Sequence, residues 1–379
     1  MNFTVFGLSI TSSWGNGHAT LWRGLCGALG SLGHHVVFFE RDTPYYASHR
    51  DGTSYRGCDV RLYSSWAEVA ATAAKEVARA DVAMVTSYCP DAKIASDLVR
   101  ARCAGVRTYY DLDTPVTLGA LDAGEAVPYL PDGGLSDFDI VLSFTGGPAL
   151  DALQSRLGAR SPRPLYGSVD PGVHRPAAPS AAFEADLAYL GTYAADRRSA
   201  LDELFVQPAR RAPRRKFLLG GALYPDGFPD AANVRVLPHV PASDHGAFFS
   251  SCALSLNVTR GAMARWGWSP SGRLFEAAAC GAPQITDVWD GLESFFRPGE
   301  EILLARSSSD VLAALELPRG DLERMARAAR ERVLTEHSAS ARARELVGIC
   351  SGSVRMPGGH LSADEVPTQR SLREESGVS

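Results

Sequence analysis

The sequence predicts an α/β protein of two Rossmann-like parallel-sheet domains facing each other across a cleft. Three observations lead there. Short apolar runs alternate with helix-period segments from residue 3 to residue 168, the rhythm of a doubly wound sheet with strands buried on both faces. That rhythm breaks at a proline-rich stretch, Ser168-Val-Asp-Pro-Gly-Val-His-Arg-Pro-Ala-Ala-Pro179, and then restarts. The chain of 379 residues is also longer than one core ordinarily fills.

In the first half, β-branched and aromatic runs at 3–10, 36–40, 82–88, 107–111, 139–145 and 165–168 read as strands. Helical patterns at 18–32, 66–79, 92–103 and 148–157 lie between them, with Leu21, Leu25, Leu29 and Leu32 at helical spacing. The second half gives strands at 187–192, 216–221, 234–237, 253–259, 283–287 and 301–305, and helices at 198–209, 244–250, 271–280, 308–316 and 321–337. A last helix, 339–349, is expected to pack back on the first domain. The expected division is therefore 1–170, a linker at 171–185, and 186–350, followed by a polar tail at 351–379 with too little apolar surface to order itself.

Composition narrows the function. A net charge of −5 disfavours a nucleic-acid surface. The seven Cys are scattered singly, without a C-x-x-C or Cys/His cluster, so neither a disulfide framework nor a zinc site is expected. No leader pattern opens the chain and no apolar run of about 18 residues occurs, so the expected compartment is the cytoplasm.

The chemistry gathers in a few strand-to-helix loops. Ser269 to Asp287 reads as a loop, a short helix, a glycine stop and a strand. Ser271 and Arg273 at that helix start, with Arg260 upstream, make a seat for a diphosphate, because a helix N-terminus presents unpaired N–H groups and positive potential. Glu276 is then placed to accept from a sugar diol. Arg197 follows another strand and Gly turn, and is expected to converge on the same helix start. Asp290, Gly291 and Glu293 form a loop suited to sugar hydroxyls, or a plain turn.

In the first half, Ser12-Ser-Trp-Gly-Asn-Gly-His18 follows the first strand and brings Trp14, Asn16, Gly17 and His18 to the carboxyl end of the sheet, where ligands bind in such folds. The stretch is not a dinucleotide fingerprint, since Gly15-Asn-Gly-His-Ala-Thr20 lacks the last glycine. Asp111 and Asp113, two apart on an extended segment, are expected to face the ligand together. Either His18 or Asp113 is the candidate general base; the alternative readings are a helix-capping or core histidine for His18 and an N-cap and turn for Asp113. Gly146 and Gly147 form a further loop with free N–H groups. Trp14, Trp266, Trp268 and Trp289 flank cleft loops with faces suited to stacking.

These residues resemble the GT-B glycosyltransferases, and specifically the CgeB-like glycosyltransferase family. The likeness runs from about Asn2 to Ile349, through SSWGNGHAT (12–20), YDLDTPVT (110–117), LGTYAADR (190–197), LNVTR (256–260), 269–281 and GLESFFRPGEE (291–301). It implies a nucleotide-diphosphate sugar held mainly by the second domain and an acceptor held mainly by the first. Glu276 carries over as the ribose residue, and Arg197 and Arg260 as diphosphate contacts. The sequence departs from the E-x7-E pattern of retaining relatives, because Trp268 stands where the first Glu would be. Inversion and retention therefore stay open.

The resulting expectation is a glycosyltransferase acting on a hydroxyl or other nucleophile, without metal or cofactor beyond its nucleotide-sugar co-substrate. Two alternatives remain at this level. A nucleotide-sugar epimerase would turn over donor alone, and a non-catalytic binding protein would bind nucleotide without transfer. The nucleobase, sugar, acceptor and oligomeric state are not set by the sequence.

Overall fold

The computed structural model describes residues 1–352, so the expected tail lies outside the described residues except for Ser351 and Gly352. The first sheet comprises β1 (Asn2–Gly7), β2 (His35–Arg41), β3 (Cys58–Tyr63), β4 (Val82–Thr86), β5 (Val106–Asp111), β6 (Ile140–Ser143) and β7 (Pro162–Pro164). Their spatial order is β3-β2-β1-β4-β5-β6-β7. The second sheet comprises β8 (Ala185–Leu190), β9 (Phe217–Gly220), β10 (Val234–Leu237), β11 (Cys252–Asn257), β12 (Gln284–Thr286) and β13 (Leu303–Leu304), in the order β10-β9-β8-β11-β12-β13. Neighbouring strands run parallel in both. The order reverses beside β1 and beside β8, which opens a crevice at the carboxyl end of each sheet.

Local differences from the sequence reading have physical causes. Strand β3 escapes the hydrophobic pattern because it is an edge strand with exposed Asp59, Arg61 and Leu62. The last strand of the first sheet lies at Pro162–Pro164, not 165–168, since its edge position tolerates proline. Strand β1 stops at Gly7 because the loop after it is claimed by a buried carboxylate. Glu40 on β2 accepts from Ser9 Oγ (2.8 Å), Ile10 N (2.7 Å), Thr11 N (3.0 Å) and Thr11 Oγ1 (2.5 Å). The expected helix at 198–209 is α-helical at Arg198–Leu201 and Gln207–Arg211, with a π-helical turn at Asp202–Val206 between. Pro208 lacks the N–H that a regular ladder needs there. Two short helices, Thr114–Asp122 and Gly261–Trp266, were not expected.

The halves are tied together at several points, two of which bear on the cleft. The last helix, Ala339–Ser351, places Ala339, Ala343, Leu346 and Cys350 in one cluster with Leu21, Leu25 and Leu29 of the Gly17–Ser31 helix. Where the chain crosses between halves, Val169 N donates to His337 O (3.0 Å) and Ala339 N donates to Val169 O (2.8 Å). The second tie is Trp268, whose backbone is left-handed (φ 41°). Gly146 N donates to Trp268 O (2.9 Å), and Thr145 Oγ1 bonds Ser269 Oγ (2.9 Å) across the cleft. A Cβ on Gly147 (φ 57°) or Gly291 (φ 85°) would stand 2.5 Å from the indole ring. Gly147→Val is expected to cost about 2 kcal/mol or more, through overpacking and the left-handed backbone. Urea unfolding measures it, and an unchanged midpoint would show that the indole does not pin the halves.

Candidate functional site

A cavity of about 260 Å³ opens where the carboxyl ends of the two sheets meet. The second half contributes Arg197, Arg260, Ser271, Arg273 and Glu276; the first contributes Gly17, His18 and Asp113. Eight candidates scattered through the sequence thus line one space.

Each cation is held differently. Arg197 lies in a 3₁₀ turn after β8, where Nη1 donates to Tyr189 OH (3.0 Å) and Nη2 to Thr192 O (3.0 Å). Its buried Nε has no hydrogen-bond partner. Arg260 leaves the end of β11 and lies 3.4 Å from Asp196 Oδ2. The Gly272–Ala279 helix starts at Ser271, whose hydroxyl accepts from Arg273 N (3.3 Å). The start of this helix lines the same cavity as the three guanidinium groups.

Glu276 is buried and already partnered. Arg273 donates to its carboxylate, His245 Nδ1 stands 3.6 Å away, and His174 Nε2 stands 3.8 Å away. Burial opposes the charge, but Arg273 and the two histidines outweigh it and hold the carboxyl well below the usual carboxylate range. By donor type His174, His245 and Glu276 would also suit a divalent ion, their ligand atoms lying within 4.8 Å of one another. Arg273, however, already sets a cation against Glu276 and, at 3.3 Å, against His245 Nδ1. Both histidines escaped the sequence reading. His174 falls in the proline-rich linker and His245 beside an unremarkable helix start, so no spacing links either to Glu276.

On the opposite wall, His18 Nε2 lies 3.8 Å from Asp113 Oδ2, and Tyr88 OH donates to that same oxygen at 3.0 Å. Asp111 does not join them, which corrects the expectation that the two carboxylates face the ligand together. Its strand ends at Asp111, so the two-residue alternation stops there. The side chain is fully buried, with Oδ1 accepting from Asp113 N (3.1 Å), and burial pushes its carboxyl up to about 6.

A second hollow of about 200 Å³ adjoins the first, sharing Gly17, Thr20 and Arg273 with it. Trp14 lies there, its ring 4.4 Å from that of His239 and 4.8 Å from that of His49. Asn16 also borders this hollow, but it works as a buried cap. Its Oδ1 accepts from His18 N (3.1 Å) and its Nδ2 donates to Ser9 O (3.1 Å) and Ser12 O (3.2 Å).

Several expected ligand contacts are structural instead. Gly146, Gly147 and Gly291 take the Trp268 backbone and indole. Asp290 and Glu293 are exposed and line neither hollow. Their loop is drawn off because Trp268 N donates to Asp290 O (2.6 Å). Trp266 packs against Leu118, Ala149 and Ala152, and Trp289 belongs to the core, which leaves Trp14 as the cleft aromatic among the four tryptophans.

Two parallel sheets sharing a cleft, crossed by the last helix, define the GT-B fold, and solved structures agree. Sucrose-phosphate synthase from Thermosynechococcus elongatus superposes with a TM-score of 0.66 at 16% identity, covering 92% of this chain and 98% of that one. The Anabaena HepE protein in complex with UDP and glucose gives 0.63 at 11%, covering 93% and 99%. An alpha-glucosyltransferase in complex with UDP-glucose and DNA containing an abasic site gives 0.63 at 14%, covering 92% and 98%. In sequence, residues 197–348 match the family model described as glycosyl transferase-like. No curated protein matches the chain in sequence.

Proposed function

We propose that this chain is a glycosyltransferase of the CgeB-like group. It moves a sugar from a nucleotide-diphosphate donor to a hydroxyl or other nucleophile, with no metal ion required. The observation that carries the reading is a division of labour within one cavity. Arg197, Arg260, Arg273 and a helix N-terminus supply positive potential from one wall, and His18 and Asp113 offer proton acceptors on the other. Departure of a nucleoside diphosphate leaves negative charge on its terminal phosphate, and fixed cations and amides stabilise that charge without reorganising. Glu276, freed as Arg273 engages the phosphates, accepts from the ribose hydroxyls. In an inverting course His18 or Asp113 takes the acceptor proton; in a retaining course the leaving phosphate takes it.

The structural neighbours solved with UDP or UDP-glucose make uridine donors the first to test. UDP in large excess is expected to raise the thermal midpoint by several degrees, since ligand at about 100 times its Kd adds about 2.7 kcal/mol to native stability. A shift with GDP, dTDP or CDP instead would reassign the nucleobase, and no shift with any would refute the donor site. Transfer is expected to survive EDTA, and its loss with EDTA followed by rescue with Mg²⁺ or Mn²⁺ would overturn metal independence. No helix among the described residues is long and apolar enough to cross a membrane.

A further inference from the structure

We propose that Tyr88 is a positioning residue that holds the Asp113 carboxylate beside His18 in the cleft. The inference rests on the reading of Asp113 as part of the acceptor side.

Asp113 occupies the N-cap position of the Thr114–Asp122 helix, where an Asp side chain ordinarily accepts from the second or third N–H, but Pro115 has none and Val116 N already donates to Asp113 O (2.8 Å). Here it makes no such bond. Its Oδ2 instead receives Tyr88 OH at 3.0 Å and faces His18 Nε2 at 3.8 Å. With that local cap closed to it, the carboxylate is left for a tertiary partner to orient. A phenol O–H to a carboxylate is a charge-assisted bond and does so.

The backbone at Tyr88 is organised for that bond. Tyr88 stands two residues past the end of β4 with φ 63°, a left-handed conformation that is unfavourable for a bulky side chain. The conformation turns its ring onto His18, on which it stacks (centroids 5.9 Å, 26° between planes), and it packs on Tyr129 (4.9 Å). Tyr129 is fixed in turn by Thr117, with 3.0 Å between their hydroxyls. The segment carrying Asp113 is held from behind, since Leu112 N donates to Ser87 Oγ (2.9 Å) and Asp113 N to Asp111 Oδ1 (3.1 Å). With the backbone fixed on both sides, the freedom left to Asp113 is its side-chain rotation, and Tyr88 OH sets it. Strain at a site of this kind persists only where the surroundings enforce it.

Tyr88→Phe keeps the ring and removes one oxygen. In a crystal structure of that variant, the Asp113 carboxylate is expected to rotate away from His18; a carboxylate left in place would overturn the proposal whether or not the chain transfers sugar. Kinetically, Tyr88→Phe is expected to lower kcat about tenfold, the size of effect usual for a mispositioned acid or base, with the KM for donor unchanged. The same change made in an Asp113→Asn background is expected to have less than a twofold further effect, because residues acting through one another are not additive. An equal loss in both backgrounds would mean that Tyr88 acts by packing alone. A parent chain that binds UDP but transfers nothing would sink the functional reading, while the crystal structure still decides the positioning.

Discussion

Glu276→Ala is expected to weaken nucleotide-diphosphate binding by about 10- to 100-fold, the worth of hydrogen bonds to a charged group. It is also expected to lower stability by about 2 kcal/mol, because the variant leaves Arg273 facing two histidines without its anion. That figure is kept below the usual cost of breaking a buried pair, since about a third of the Arg273 side chain is exposed. Titration calorimetry with UDP and with inorganic pyrophosphate separates two contributions. Loss of the ribose contact weakens UDP and spares pyrophosphate, whereas equal weakening of both would mean that Glu276 merely holds Arg273.

The pH dependence follows with a definite sign. The folded carboxyl is held below its unfolded value, so its contribution is complete above the ordinary carboxylate range and disappears on acidification. The stability difference between parent and Glu276→Gln is therefore expected to be constant from about pH 7 to about pH 5, shrinking only as pH falls below the unfolded carboxylate value. A difference that collapsed between pH 7 and pH 6 would implicate the histidines instead.

Arg260→Ala is expected to lower turnover by about tenfold or more while leaving the melting midpoint near that of the parent. The two halves of this expectation have separate grounds. The guanidinium lines the cavity, so it acts on charge that develops at the leaving phosphate. Its one ion pair among the described residues, with Asp196 at 3.4 Å, is partly exposed and adds little to folding. Arg197 differs, because its bonds to Tyr189 OH and Thr192 O brace the turn after β8. Arg197→Ala should therefore cost both activity and stability, and the contrast identifies which cation is free to follow the phosphate. Parent-like turnover in Arg260→Ala would remove it from the diphosphate site.

The fold was legible because hydrophobic period and turn residues are local signals. Helices 66–79 and 148–157 have the expected bounds, and β10 spans the expected 234–237. Parts of the site were legible for the same reason, since His18 and Arg260 follow strand ends and Ser271 and Arg273 open a helix. Asp290, Glu293, Gly146 and Gly147 looked equally suitable, yet the junction pattern cannot say that Trp268 reaches across and claims their loops. Asp111 misled because strand alternation was carried past the last residue of β5. No local signal marks Tyr88, whose role depends on a hydroxyl meeting a carboxylate on a neighbouring strand's loop.

By itself the sequence determined the two-sheet architecture and a phosphate-favouring helix start, because period, capping and charge are written along the chain. The tertiary structure alone decided the partners of Glu276, the inward turn of Asp113 and the pin at Trp268. Each of these joins residues distant in sequence, and which side chains meet is set by sheet order and by the close approach of the two halves. Composition and spacing do not encode that meeting.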